Sequence, residues 1–266
     1  MQHLFQSWAS FLSDVRATSH TLLLSDYDGT LTPIVGRPDE ALLPPEVENK
    51  LQALAKKPAF SVGIITGRSV SEIKTLVGIE EIYYGGNHGL EIEGPGLKFI
   101  NPTAQAGKAI IKDLAEQFVA RLASTKGVIV EDKGLSLSVH YRLVKESEVN
   151  AIATVFQQIT SPLLSEKKIR VTSGKKVWEV RPPIDWHKGK AVDTIAKEVK
   201  KVRKLEKLLI MYLGDDTTDE DAFKVIHRPL GWSIFVGQDN PSSNADYFLS
   251  STSEVGIFLS RLLELK

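Results

Sequence analysis

Apolar positions change their rhythm several times along this chain, and each change marks an element. Leu4, Phe5, Trp8, Phe11, Leu12 and Val15 recur at helical spacing and predict an amphipathic helix at the start. Residues 21–25 form a short apolar run that closes on Asp26, the pattern of a buried strand. Val47, Leu51 and Leu54 predict a helix over residues 45–57. Residues 60–65 read as a second buried strand ending at Thr66-Gly67-Arg68, and Ser69 caps a helix that runs to about Val77. A third short strand is expected at 82–84, before Gly85-Gly86-Asn87-His88-Gly89. Strand and helix alternating through short connections indicate an α/β domain with a mostly parallel sheet.

The pattern shifts after Pro102. Residues 104–123 read as a helix. Residues 128–131 and 135–142 read as a hairpin around Lys133-Gly134, and residues 146–159 as a helix. Two further strands, 168–172 and 176–181, turn at Ser173-Gly174. This order suggests an α+β module with an antiparallel sheet. The α/β pattern then resumes with a helix over 188–199, a strand over 207–213 ending at Gly214-Asp215-Asp216, and a helix from Glu220. A strand at 233–236 and a last helix over 254–265 complete it. The economical arrangement is an α/β core made of residues 1–102 and 185–266, interrupted by an inserted domain at 103–184. Linkers, and hence hinges, are expected near 101–103 and 182–185, both containing proline.

Composition narrows the classes open to such a chain. Of 266 residues, 42% are hydrophobic and 25% charged, ordinary for a globular protein. Lys plus Arg and Asp plus Glu balance at 33 each, so no global field attracts nucleic acid or an anionic membrane. An anionic substrate must be drawn by a local positive site. The absence of cysteine excludes disulfides, thiolate catalysis and Cys-ligated zinc. No apolar run approaches the roughly 20 residues of a membrane span. The first segment lacks the cationic start and continuous apolar core of a signal peptide. A cytoplasmic location is the expectation, with no membrane or nucleic-acid partner.

Four segments carry candidate chemistry. Ser25-Asp26-Tyr27-Asp28-Gly29-Thr30-Leu31 puts two carboxylates, one residue apart, at the carboxyl end of a strand, the edge where open α/β sheets bind ligands. Adjacent carboxylates repel unless a cation lies between them or one is protonated. Gly214-Asp215-Asp216-Thr217-Thr218-Asp219-Glu220-Asp221 also follows an apolar strand. Its later acids suit the first turn of a helix, whereas Asp215 and Asp216 sit at the strand tip. Carboxylates on two tips could hold a hard cation. Thr66 offers a hydroxyl before a helix N-terminus, suited to a phosphate oxygen. Lys188, in Asp185-Trp186-His187-Lys188-Gly189-Lys190, opens a helix. On their own, the last two segments read more readily as ordinary surface features, and they gain weight only from the company they keep.

In this order the four segments resemble the four motifs of the haloacid dehalogenase superfamily. The insertion between the second and third is similar to the type-2 cap of its sugar-phosphatase branch. The likeness sharpens to the trehalose-6-phosphate phosphatase family. Its carriers are Gly86-Asn87-His88-Gly89, Val130-Glu131-Asp132-Lys133-Gly134, Ser138-Val139-His140-Tyr141-Arg142, Gly174-Lys175-Lys176-Val177-Trp178-Glu179-Val180-Arg181-Pro182, and the Gly214 to Phe223 segment. Asn87 departs from the family, many members of which carry Glu there.

The resemblance implies an Asp26 nucleophile forming an aspartyl phosphate, and Asp28 as general acid and then base. It implies Mg²⁺ held by Asp26, the Asp28 backbone carbonyl and Asp215, with Asp216 and Asp219 orienting those ligands. Thr66 and Lys188 would bind phosphoryl oxygens. Glu131, Lys133, Lys175 and Glu179 would bind sugar, joined by Arg142, His88 and Arg68.

Spacing adds a physical argument for the cap. Glu131 and Lys133 are two apart and Lys175 and Glu179 four apart, so each pair would share a strand face. His140 and Arg142 would share one opposite Val139 and Tyr141. Trp178, in phase with Val180, belongs to the core. The implied substrate is a small sugar phosphate, and association with a trehalose-phosphate synthase is left open. Sucrose phosphate, glucosylglycerol phosphate and mannosylglycerate phosphate are alternative substrates. A phosphotransferase and a non-catalytic sugar-phosphate sensor are alternative activities.

Overall fold

The computed structural model of the protein describes residues 1–229 and 231–265. The chain forms two compact units, Met1–Phe99 joined by the stretch from Trp186 on, and Ile100–Asp185. The first unit opens with β1 (Gln2–His3), α1 (Trp8–Arg16), β2 (Thr21–Ser25), α2 (Pro45–Ala55), β3 (Phe60–Ile65), α3 (Val70–Val77), β4 (Tyr83–Gly86), β5 (Glu91–Gly94) and β6 (Leu97–Ile100). The second contains α4 (Pro102–Ala106), α5 (Lys108–Leu122), β7 (Ile129–Asp132), β8 (Leu137–His140), α6 (Glu146–Ser165), β9 (Arg170–Gly174) and β10 (Val177–Arg181). The chain then returns through α7 (Lys188–Arg203), β11 (Leu209–Gly214), α8 (Glu220–Phe223), β12 (Gly231–Val236), β13 (Tyr247–Leu249) and α9 (Thr252–Leu263).

The sheet of the first unit has the order β1-β13-β12-β11-β2-β3-β4-β5-β6. The pairs from β1 to β4 are parallel, and β5 runs antiparallel to β4. Its central strands β2 and β3 are buried along their whole length because both faces are covered. Leu23, Met211 and Leu213 face a core built with α1, α2, α3 and α9. Leu22, Leu24 and Tyr212 alternate with them and face a second core under α7 and α8. Leu213 lies opposite Ser25 and Ser25 opposite Ile64, so β11, β2 and β3 end side by side. The Asp26 amide extends this ladder by donating to the Leu213 carbonyl at 2.8 Å.

The second unit is a four-stranded antiparallel sheet, β7-β8-β10-β9, with α5 and α6 on one face. Leu137, Val139 and Val180 are buried there with Phe118 and Phe156, whose rings stack at 5.2 Å. Trp178 stacks on Tyr141 at 4.3 Å and lies 5.1 Å from Phe156, so its parity with Val180 correctly assigns it to the core. Truncating Phe118 to Ala would cost about 3–5 kcal/mol.

Several element boundaries differ from expectation for identifiable reasons. The helix expected over 104–123 is two helices, because Gly107 ends α4 before α5 begins. The helix expected to stop at residue 159 continues to Ser165 through Pro162, whose missing amide removes one bond near the helix end. The hairpin β5–β6 was not anticipated, although Gly94-Pro95-Gly96 is a turn sequence and Gly96 has φ +76°. The turn between β9 and β10 is Lys175-Lys176, with Lys176 at φ +66°, and not Ser173-Gly174. Lys175 therefore stands on a turn, and the strand-face argument linking it to Glu179 does not hold. Arg142 likewise lies beyond β8, in a turn.

Candidate active site

Strand order brings two carboxylates and one hydroxyl to one edge. Asp26 follows the central strand β2, Asp215 follows its neighbour β11, and Thr66 follows its other neighbour β3. Two glycines make room for this crowding. Gly29 has φ +90°, and a Cβ there would lie 2.3 Å from an Asp215 carboxylate oxygen. A Cβ on Gly214 would lie 2.2 Å from the Asp219 carboxyl carbon. The glycines of both acidic motifs are thus required by the carboxylates they sit beside.

Charge at this edge is dense and buried. Ligand oxygens of Asp26, Asp215 and Asp219 lie within 4.8 Å of one another. Lys188, at the first turn of α7, is 1% exposed and reaches Asp26 Oδ1 at 3.0 Å and Asp219 Oδ1 at 2.8 Å. The Asp219 carboxylate is already fully engaged. Its Oδ1 also accepts from the Tyr212 hydroxyl at 2.6 Å, and its Oδ2 accepts the Asp215 and Asp216 amides at 3.1 and 3.0 Å. These bonds tie Asp219 to the tip of β11 and to Lys188.

Burial pushes the Asp26 carboxyl well above its ordinary range; Lys188 opposes the shift, and Asp219, Asp215 and Asp28 add to it. For Lys188, burial alone would lower its value, but Asp219 and Asp26 outweigh it and hold the ammonium charged. One lysine facing this many carboxylates leaves an excess of negative charge. The cluster is thus suited to a hard divalent cation between Asp26 and Asp215.

The remaining expected residues of this unit fall into two groups. The Thr66 side chain is buried, its amide bonds the Gly85 carbonyl at 2.8 Å, and its Oγ1 accepts the Arg68 amide at 3.3 Å. The helix that follows is capped by Ser69, whose hydroxyl accepts the Glu72 amide. Asp28 is gripped by Arg68, with Nε and Nη2 each 2.8 Å from one carboxylate oxygen. Arg68 also pairs with Glu72 and donates to the Pro38 carbonyl at 2.8 Å, and it is 5% exposed. Its guanidinium is engaged by Asp28, Glu72 and the Pro38 carbonyl, so its first task is to hold Asp28.

The Asp216 carboxylate accepts the Thr217 amide and hydroxyl, and the Asp216 amide donates to Asp219. His88 sits at φ +56° with its amide on the Thr66 carbonyl, and its ring lies 3.0 Å from where a Gly67 Cβ would be. Asn87 is buried and bonds Glu91 at 2.8 Å, a structural role at the start of α3, where Glu91 also accepts the Val70 amide.

In the second unit, Glu131, Lys133 and Glu179 converge. Lys133 Nζ lies 3.8 Å from Glu131 and 3.8 Å from Glu179. Glu131 also pairs with His140 Nε2 at 2.7 Å, and Glu179 with Arg181 and the Ser136 hydroxyl. Arg142 donates to the Lys175 carbonyl at 3.1 Å on the turns beside this face. Sequence reading missed Arg181 and Ser136. Arg181 could have been found from its phase with Glu179, whereas Ser136 follows a glycine turn and gave no signal.

Sheet order, acidic strand tips and an inserted antiparallel unit put the chain in the haloacid dehalogenase-like class of hydrolases. Within that class it belongs to the trehalose-phosphatase family, whose pattern matches residues 24–253. It is 37% identical over 257 residues to trehalose-phosphate phosphatase B of Arabidopsis thaliana, covering 92% of this chain and 67% of that protein. The chain thus spans about two thirds of that relative. Among solved structures it resembles the C-terminal domain of trehalose-6-phosphate phosphatase from C. albicans, with TM-score 0.78, 25% identity and 97% of each chain covered. It also shares the fold of a trehalose-6-phosphate phosphatase related protein at TM-score 0.78 and 23% identity, covering 92% of this chain and 98% of the other. Among the described residues no helix is long and apolar enough to cross a membrane.

Proposed function

We propose that this protein hydrolyses trehalose 6-phosphate to trehalose and phosphate, with Asp26 as the nucleophile. The observation that carries the reading is the Asp26 strand tip, flanked by Asp215 and Thr66 and ion-paired to a buried Lys188. A carboxylate oxygen of Asp26 attacks phosphorus, and the bond from phosphorus to the sugar oxygen breaks. Asp28 gives its proton to that oxygen. It then takes a proton from the water that attacks the aspartyl phosphate, which releases phosphate and restores Asp26. Arg68 keeps Asp28 in place by its two-pronged contact. Lys188 and the Thr66 hydroxyl bind the phosphoryl oxygens, so that a dianion can approach a carboxylate. Mg²⁺, held by Asp26, the Asp28 backbone carbonyl and Asp215, would supply the positive charge that the carboxylate cluster lacks.

Residues 103–184 serve as the specificity domain in this reading, and the remainder as the catalytic one. Glu131, Lys133 and Glu179 read the sugar, exchanging their mutual ion pairs for hydroxyl contacts. Arg142, Lys175 and His88 are weaker candidates for the same task. The retained Asp26, Asp28, Thr66, Lys188 and Asp215 argue against a non-catalytic sensor.

Phosphate release from a panel of sugar phosphates, with Mg²⁺ and with a chelator, tests the proposal. Trehalose 6-phosphate should be preferred at least about tenfold over sucrose phosphate, glucosylglycerol phosphate and mannosylglycerate phosphate. Chelation should abolish release. Equal turnover on unrelated hexose phosphates would reject the assignment.

A further inference from the structure

We propose that Tyr212 is a positioning residue whose hydroxyl holds Asp219 so that the Lys188 ammonium is shared with Asp26. The inference rests on the reading of Asp26 as nucleophile and extends it to a side chain three residues before Asp215. Tyr212 alternates with Met211 and Leu213 in β11, so its ring points to the α7 face of the sheet, where Lys188 begins that helix. It is fully buried, packed edge-on against Phe223 at 5.8 Å, and its hydroxyl bonds Asp219 Oδ1 at 2.6 Å.

Asp219 is 0% exposed and each of its oxygens accepts two donors. Oδ2 is fixed by the backbone at the tip of β11. Oδ1 is divided between two side-chain donors, Tyr212 and Lys188. A buried carboxylate that loses one donor must satisfy that lone pair from whatever remains. Here what remains is Lys188, already 2.8 Å away, against 3.0 Å from Asp26. Without the hydroxyl the ammonium is drawn toward Asp219, away from Asp26 and from the phosphoryl oxygens. The hydroxyl thereby sets how much of one positive charge reaches the reacting atoms. It touches no part of the substrate.

Tyr212→Phe removes the hydroxyl and keeps the ring. The test compares it with Asp219→Asn and the double variant, measuring kcat and KM on trehalose 6-phosphate and on p-nitrophenyl phosphate, together with Tm. The hydroxyl acts on the phosphoryl site, so kcat should fall about tenfold on both esters while KM stays within about twofold. Acting through Asp219, it should cost less than about twofold more in the Asp219→Asn background. An unchanged kcat, an equal loss in both backgrounds, or a Tyr212→Phe protein that no longer folds at the assay temperature would each overturn the inference. The last outcome would assign the hydroxyl to stability alone. A wild-type chain inactive on every ester would sink the functional reading itself. Active wild type beside an indifferent Tyr212→Phe sinks only this one.

Discussion

The two polar clusters of this protein are built on opposite principles. Around Asp26, the charges are buried and the partners are dictated by the backbone: strand register fixes Asp26 and Asp215, and two strand-tip amides fix Asp219. In the second unit, Glu131 and Glu179 lie on one sheet face, Lys133 follows β7 and reaches both, and His140, Arg181 and Ser136 contact the two glutamates. The first arrangement suits chemistry, where a small displacement of a reacting atom is costly. The second suits recognition, where side chains trade one set of partners for another. One site has geometry supplied by the fold, and the other has adaptable contacts on a stable sheet.

The largest effect that would sharpen this contrast is at the nucleophile. Asp26→Asn should reduce phosphate release by at least about a thousandfold on every ester, because no other group can take its place in line. Retention of a tenth of the activity would remove Asp26 from the role. Next comes the backbone dependence of the core cluster. Gly214→Ala introduces a Cβ 2.2 Å from the Asp219 carboxyl carbon. It should lower stability by about 2–4 kcal/mol and activity with it, as read by denaturant melts and turnover.

The adaptable site predicts a selective loss. Glu131→Ala should weaken trehalose 6-phosphate hydrolysis by about tenfold or more while changing p-nitrophenyl phosphate hydrolysis by less than about threefold. Equal losses would mean that this face does not read sugar.

The smallest effect concerns stability and runs against activity. Burial holds the Asp26 carboxyl above its ordinary range, so the folded chain binds that proton more tightly than the unfolded chain. The resulting stability is full below the ordinary carboxyl value and is lost as pH rises through the raised one. Asparagine never ionises and keeps it. Without divalent cation at neutral pH, Asp26→Asn should melt above wild type, and the gap should close on acidification. Added Mg²⁺ should raise the wild-type melt more than that of the variant.

Much of the first unit was legible from the chain because its signals are local. Apolar runs ending in Asp26, Thr66 and Gly214 are strands that must be covered on both faces, and strand tips are where parallel sheets bind ligands. What stayed hidden depended on contacts distant in sequence. Arg68 sits forty residues from Asp28, and no spacing rule reveals that its guanidinium is spoken for. Tyr212 looked like one more apolar strand residue, although a fully buried tyrosine requires a partner for its hydroxyl. Lys175 was misassigned because a two-residue turn shifts strand phase, and the turn adopted here carries lysine at positive φ, where glycine or asparagine is the usual signal.

The central claim is that phosphorus passes through a covalent bond to Asp26. Acid-quenching the enzyme during turnover of radiolabelled phosphate ester, then reducing the acyl phosphate with borohydride, marks the phosphorylated residue. The account predicts that position 26 alone is converted to homoserine, and that the Asp26→Asn protein carries no label. Label on another side chain, or steady turnover with none trapped on Asp26, would contradict it.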